Sequence, residues 1–334
     1  MKLAGCSKRD VRLLSHEVGE RSSLRRSGSS QLALVAITLS WGSSLSLQKL
    51  ISPQIGPVLF NAARCGAALV ALAIGCRPDL RRLSWRQAAS CLATGAVLGL
   101  SILLQSLALS ATKANICGFI SGLPVVITPV FALLMLGERP GRSAALGVVL
   151  AGLGVVLISG ATLSLQAGDG LALLASVGLA LHIVLTGRLS RAIEPRSIAT
   201  LQMAGATVVC SLACPFAATG FVNASAGAWL ITACLGVMNL GVATLVQAWA
   251  QQRCSAARTG VILTMEPVFG AIFAWQLLGE TLDPRALLGA AAIVVAMILP
   301  LIPVGVARSI PFRPAPHRRI ADRSDKQAPL LAAN

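Results

Sequence analysis

Residues 105–147 and 247–289 are two copies of one segment, and this duplication constrains the fold more than any other feature of the chain. Aligned without a gap at an offset of 142, they share 14 of 43 positions, among them Gln105/Gln247, Gly118/Gly260, Phe131/Phe273 and the Leu-Gly-Glu triplets 136–138/278–280. Both copies are almost entirely apolar helix-forming sequence of membrane length. A duplicated hydrophobic unit implies two homologous helical halves that meet along a shared interface, with any polar site between them.

Hydrophobic residues make up 55% of the 334 and charged residues only 12%, with a mean hydropathy of +0.77. A water-soluble chain of this size has nowhere to hide that much apolar surface, so the bilayer is its solvent. The formal net charge of +16 would suggest a nucleic-acid partner in a soluble protein. Here the charge sits in the tails and short loops, which argues against nucleic acid. Nine cysteines are scattered without a C-x-x-C pair, most within apolar spans, where they read as small hydrophobes. The chain is therefore expected to hold neither disulfides nor a metal, and to need no cofactor. Tyr is absent; Trp85 and Trp229 are the best interfacial anchors.

Nearly charge-free stretches separated by turn signals predict ten spans, 32–52, 57–76, 87–110, 115–136, 143–162, 169–187, 197–217, 227–250, 259–278 and 286–305. Each has about 20 residues, enough at ~1.5 Å per residue to cross a ~30 Å core. With both termini cytoplasmic, 24 of the 28 Lys and Arg lie on the inner side and only Lys49, Lys113 and Arg285 on the outer side, Arg64 being within a span. Such asymmetry sets the orientation. Five spans per repeat is an odd number, so the second repeat enters upside down. The loops agree: the link after span 2 carries four Arg, and its counterpart after span 7 none. The expected fold is thus an all-α polytopic membrane protein, ten transmembrane helices in an inverted 5+5 repeat. Residues 31–162 form one repeat and 163–305 the other. Basic tails at 1–30 and 306–334 are expected to be disordered, the first lacking a signal peptide's apolar core.

Polar or charged groups at membrane depth are expensive, so each is a functional candidate. Glu266 is the lone acid well inside a span and directly precedes Pro267. It reads either as a proton-coupling or solute-pairing carboxylate, or as a polar support for the helix break that Pro267 creates. Gln105 and Gln247, repeat-related in helices 3 and 8, suit a cavity that hydrogen-bonds a polar solute; interhelical glue is the alternative. Asn115 and Asn239 are weaker candidates of the same kind. His182 in helix 6 is a proton relay or a packing histidine. Trp41, too deep in helix 1 for an interfacial anchor, is a cavity wall or packing. Arg64 is expected to pair locally or snorkel. Glu138 and Glu280, each after a Gly at a helix end, suggest capping or gating. Pro124, Pro129 and Pro267 supply kinks, and Gly95/Gly99 and Gly118/Gly122 allow close helix packing.

Enzyme motifs are missing: there is no HExxH, no Walker A and no acid cluster suited to a metal. The loop acids Asp79, Glu138, Asp169, Glu194, Glu280 and Asp283 are far apart in the sequence.

The stretch 103–126, LLQSLALSATKANICGFISGLPVV, and the run EPVFGAIFAWQLLGE at 266–280 resemble the third-to-fourth and ninth helix regions of the drug/metabolite transporter superfamily, in its ten-helix EamA-type branch. Trp41-Gly42-Ser43-Ser44, Arg64 and the paired LGE triplets match the same pattern, and the resemblance spans about 31–305. It implies movement of small organic solutes, such as amino acids, nucleosides or drugs, through a central cavity lined by both repeats. Two departures stand out. In the gapless alignment Val125, not Pro124, faces Pro267. Helix 1 has no Glu, so the proton-coupling scheme of the superfamily's small four-helix multidrug pumps does not carry over.

The sequence therefore predicts a secondary transporter in the inner or plasma membrane, moving a small metabolite or drug-like solute, outward, by proton-linked or facilitated movement. A polytopic lipid-modifying enzyme and a membrane sensor or scaffold are the rivals from other classes.

Overall fold

The computed structural model describes residues 8–51, 53–111, 117, 120–137, 141–159, 167–217, 224–263, 265–279 and 283–299. Apart from two short 3₁₀ turns, Leu80–Arg82 and Cys214–Phe216, the secondary-structure elements are helices: α1 (Lys8–Ile51), α2 (Pro57–Cys76), α3 (Trp85–Ala111), α4 (Pro124–Leu136), α5 (Arg142–Ser159), α6 (Ala167–Leu189), α7 (Pro195–Ala213), α8 (Ala226–Gln251), a ninth helix in two pieces, α9a (Ala256–Leu263) and α9b (Glu266–Leu278), and α10 (Pro284–Ile298). Seven stretches are long and apolar enough to cross a bilayer, and shorter apolar helices lie at Pro124–Leu136, Ala145–Gly154 and Leu287–Ala296. The protein is a polytopic membrane protein.

Local sequence explains where the helices begin and end. Pro at the first turn opens α2, α4, α7 and α9b, where its missing N–H costs nothing. Ser225 caps α8 by accepting from the Ala228 N–H. α4 and α9b are both 13 residues long and both end on a left-handed glycine, Gly137 (φ 66°) and Gly279 (φ 68°). Only glycine takes that backbone without a Cβ penalty, so the duplicated LGE triplets are duplicated helix stops.

α1 starts at Lys8 and runs on into the first membrane-length stretch, Gly28–Ile51. No Pro interrupts residues 1–52, and Glu17 stands four residues before Arg21, a helix-supporting pair. Nothing in the sequence stops the helix short of the membrane.

Packing partners come in matched sets. α3 packs on α7, and α8 on α2; α4 packs on α6, and α9b on α1; α3 also meets α6, and α8 meets α1. The contacts α2–α7, α5–α10 and α4–α9a are their own counterparts. Adding five to each helix number exchanges these contacts among themselves. Where α3 crosses α7 the backbones nearly touch: a Cβ on Gly95 would collide with the Gln202 backbone, and one on Gly99 would sit 2.7 Å from Ala206 Cα. Small residues permit this approach in a bilayer, where packing takes over from the hydrophobic effect. Around the crossing lie Cys65, Leu72, Ile102, Met203 and Cys210, all buried.

Candidate functional site

The helices enclose a central cavity of ≈ 80 Å³, room for several waters where one needs roughly 10–15 Å³. Its walls come from α1, α2, α3, α4, α6, α8, α9a and α9b, so both halves of the chain build it. Apolar panels are supplied by Leu98 and Ile102, Leu179 and Ile183, and Leu240 and Leu263.

Two interruptions of helix geometry border the cavity. Residues 121–123 form a turn just before Pro124, held from α6 by the Ser176 hydroxyl, which donates to the Ile120 carbonyl at 2.6 Å. At the matching place in the second half, Met265 forms a turn just before Glu266 and Pro267, and Pro267 cannot donate to the turn that precedes it. Irregular backbone at membrane depth persists where it is buried in protein or faces a polar cavity. Pro129 sits inside α4, buried.

α8 holds a third irregularity that sequence reading missed, a π-helical stretch at Gly236–Val242. Gly236 presses against the Arg64 backbone of α2, where a side chain would clash. Asn239, within the stretch, bonds to Ser40 through both ends of its amide: Nδ2 donates to the Ser40 carbonyl at 2.9 Å and Oδ1 accepts from its hydroxyl. The Trp41 indole donates to the Asn239 carbonyl at 2.5 Å. π-bulges expose carbonyls in this way and gather at functional places. Trp41 and Asn239 therefore line the cavity and also fasten α1 to α8. The rest of the Trp-Gly-Ser-Ser run has a structural account too: a Cβ on Gly42 would lie 2.5 Å from Phe269 Cβ, so glycine lets α1 seat against α9b.

Gln105 and Gln247 both face the cavity, from α3 and α8. Gln105 Nε2 donates to Ser121 Oγ at 2.8 Å, and Ser121 donates onward to the Cys117 carbonyl at 2.7 Å. Gln247 makes a longer contact, 3.4 Å from Nε2 to Gln251 Oε1, while Gln251 Nε2 donates to the Ile183 carbonyl at 2.8 Å. His182 also lines the cavity. Its Nε2 lies 3.3 Å from Gln202 Oε1 and 3.2 Å from Thr186 Oγ1, and Gln202 Nε2 donates to Thr186 at 2.9 Å. That closed set ties α6 to α7.

Of the two expectations for Arg64, the local contact is the one seen: it does not snorkel but is 4% exposed, lines the cavity and stacks its guanidinium over the Phe60 ring, one turn away, at 4.9 Å. With Gly236 fixing its backbone and the cavity open to its side chain, the nearest polar space lies inward. Glu266, in the first turn of α9b, lines the same cavity, as does Pro124. Asn115, Glu138 and Glu280 lie outside the described residues. Ser44, Gln48, Ser121 and Thr244 are cavity residues that sequence reading passed over. Gln48 was the findable one, an amide one turn from Ser44 inside an apolar span.

At the face carrying the α1–α2 and α7–α8 links, Gln54 Oε1 accepts from both the Ser225 hydroxyl (2.8 Å) and its N–H (3.1 Å). On the surface, Trp85 is exposed at the start of α3 and Trp229 in the first turn of α8, the positions of membrane-interface anchors.

Comparison with known proteins places this architecture. The model of the EamA-like transporter family matches twice, over residues 28–160 and 166–302. A protein of Archaeoglobus fulgidus named as an uncharacterized transporter is 27% identical over 270 residues, 80% of this chain and 84% of its own. A probable terminal-alkyne amino-acid exporter of Streptantibioticus cattleyicolor is 26% identical over 274 residues, 80% of this chain and 91% of its own. A solved crystal structure superposes with a TM-score of 0.67 over 81% of this chain and 95% of that one, at 19% identity, a likeness of fold. Two family matches that together span the helical part of the chain, built around one polar cavity, identify it as a membrane transporter of the EamA-like family.

Proposed function

We propose that the protein is a secondary transporter that carries a small organic solute outward across the inner or plasma membrane by alternating access, with both termini in the cytoplasm. The observation that carries this reading is the shared cavity: Gln105 and Gln247, equivalent residues of the two halves, face one space together with Arg64 and Glu266. A site at the interface of two related halves is reached from either side when one half rocks against the other. The breaks before Pro124 and Glu266 offer hinges, and the Gln54–Ser225 contact offers a small closure on one face. Glu266 is the group suited to couple solute movement to protons. The name of the Streptantibioticus cattleyicolor relative points to amino acids as a solute class and to export as the direction.

Everted membrane vesicles test direction and activity together. Vesicles from cells making the protein should accumulate labelled solute from a metabolite pool, above vesicles from cells without it. Formation of a modified lipid with no solute movement would favour the enzyme alternative, and neither activity would favour a sensor or scaffold.

A further inference from the structure

Arg64 carries unused hydrogen-bonding capacity in the heart of the protein. The residue is 4% exposed, its Nε has no hydrogen-bond partner among the described residues, and its Nη1 makes only a long 3.4 Å contact to Ser44 Oγ. A guanidinium has five donors in a rigid fork that matches a carboxylate. Buried donors of native proteins are nearly always satisfied, and one that is not points to an absent partner. Glu266 faces the same cavity. No direct ion pair joins them, so neither group's hydrogen-bonding capacity is used up by the other. Leu98, Ile102 and Leu240 give the same cavity an apolar wall.

We infer that this cavity selects zwitterions, Arg64 receiving a carboxylate and Glu266 an ammonium, with an apolar solute side chain against the leucine and isoleucine wall. The inference rests on the transport reading above and adds which groups of the solute are recognised. A net anion would meet the Glu266 charge and a net cation the Arg64 charge. A zwitterion satisfies both and leaves the loaded cavity neutral, as passage through a low-dielectric protein requires.

The test is transport into proteoliposomes of three solutes of nearly equal size: L-leucine, leucinamide (no carboxylate) and N-acetyl-L-leucine (no ammonium). Wild-type protein should move leucine at least tenfold faster than either blocked analogue. R64Q should bring leucine down to the leucinamide rate, and E266Q to the N-acetylleucine rate. Equal rates for all three solutes in the wild type overturn the inference, as does leucine left unmoved, or discrimination against leucinamide that persists in R64Q. Should R64Q fail to insert, the wild-type panel decides alone. Movement of uridine or tetraphenylphosphonium but not leucine would overturn the inference and leave the transport reading standing. No movement of any solute beyond protein-free liposomes would overturn both.

Discussion

Replacing Gln247 by Leu separates a solute-binding amide from a packing one, because the structure gives the side chain so little else to hold. Among the described residues its one hydrogen bond is the 3.4 Å contact to Gln251, and Gln251 keeps its 2.8 Å bond to Ile183 without it. Gln105 is bound more firmly, at 2.8 Å to Ser121, but Ser121 retains the Cys117 carbonyl when Gln105 is lost. Leu preserves most of the volume, so either change should cost no more than about 0.5–1.5 kcal/mol in folding stability, the net worth of one hydrogen bond. If each amide also bonds the solute, binding falls by a similar energy. At about 1.4 kcal/mol per factor of ten, that is a loss of roughly 2- to 12-fold in apparent affinity. The assay is concentration-dependent solute uptake into proteoliposomes, alongside thermal unfolding of the purified variants. Gln247→Leu and Gln105→Leu should each raise the half-saturating concentration while remaining folded and inserted. Normal transport in both variants would refute the reasoning and make these amides interhelical glue.

Glu266→Gln keeps the side chain's shape and removes its ability to ionise; flux that remains in this variant should no longer respond to an imposed pH gradient, and a persisting response would assign coupling elsewhere, His182 being the other proton-exchanging side chain among the described cavity residues. Gly42→Ala forces a Cβ to within 2.5 Å of Phe269 Cβ and 2.8 Å of the Gly270 nitrogen, so it should cost about 1–3 kcal/mol, seen as a lower unfolding temperature in detergent; unchanged stability would mean that α1 and α9b part easily. Single cysteines at the exposed positions Ser225 and Ser84, in a background without native cysteines, should react with an impermeant maleimide applied outside intact cells at 225 only; the opposite result reverses the orientation.

Helix positions were legible because apolar length and Pro or Gly punctuation act locally. The ends of α2 at Pro57 and Cys76 coincide with the expected span, and the LGE triplets stop α4 and α9b as left-handed glycines do. The cavity was legible in part. Gln105, Gln247, Trp41, Asn239, His182 and Glu266 stood out because polarity or aromatic bulk at membrane depth is costly, and the structure gathers them. Arg64 stayed open between local pairing and snorkelling, since a long cationic side chain can turn to the interface or inward, and only packing decides between them. The π-helical stretch at Gly236–Val242 leaves no mark in apolar periodicity; it follows from the tertiary fit of Gly236 on α2 and of Asn239 on Ser40. Ser44, Ser121 and Thr244 were invisible because small hydroxyls in a membrane helix ordinarily bond their own backbone.

Counterflow tests the central claim most directly. Proteoliposomes containing the protein and loaded with unlabelled solute are diluted into a trace of the same solute carrying a label. A carrier that exposes one site alternately to each side returns loaded with label, so the internal label should rise transiently above the external concentration and then decay, with no other energy source. Entry that never exceeds the external concentration, or that rises linearly without saturation, would contradict alternating access at this cavity.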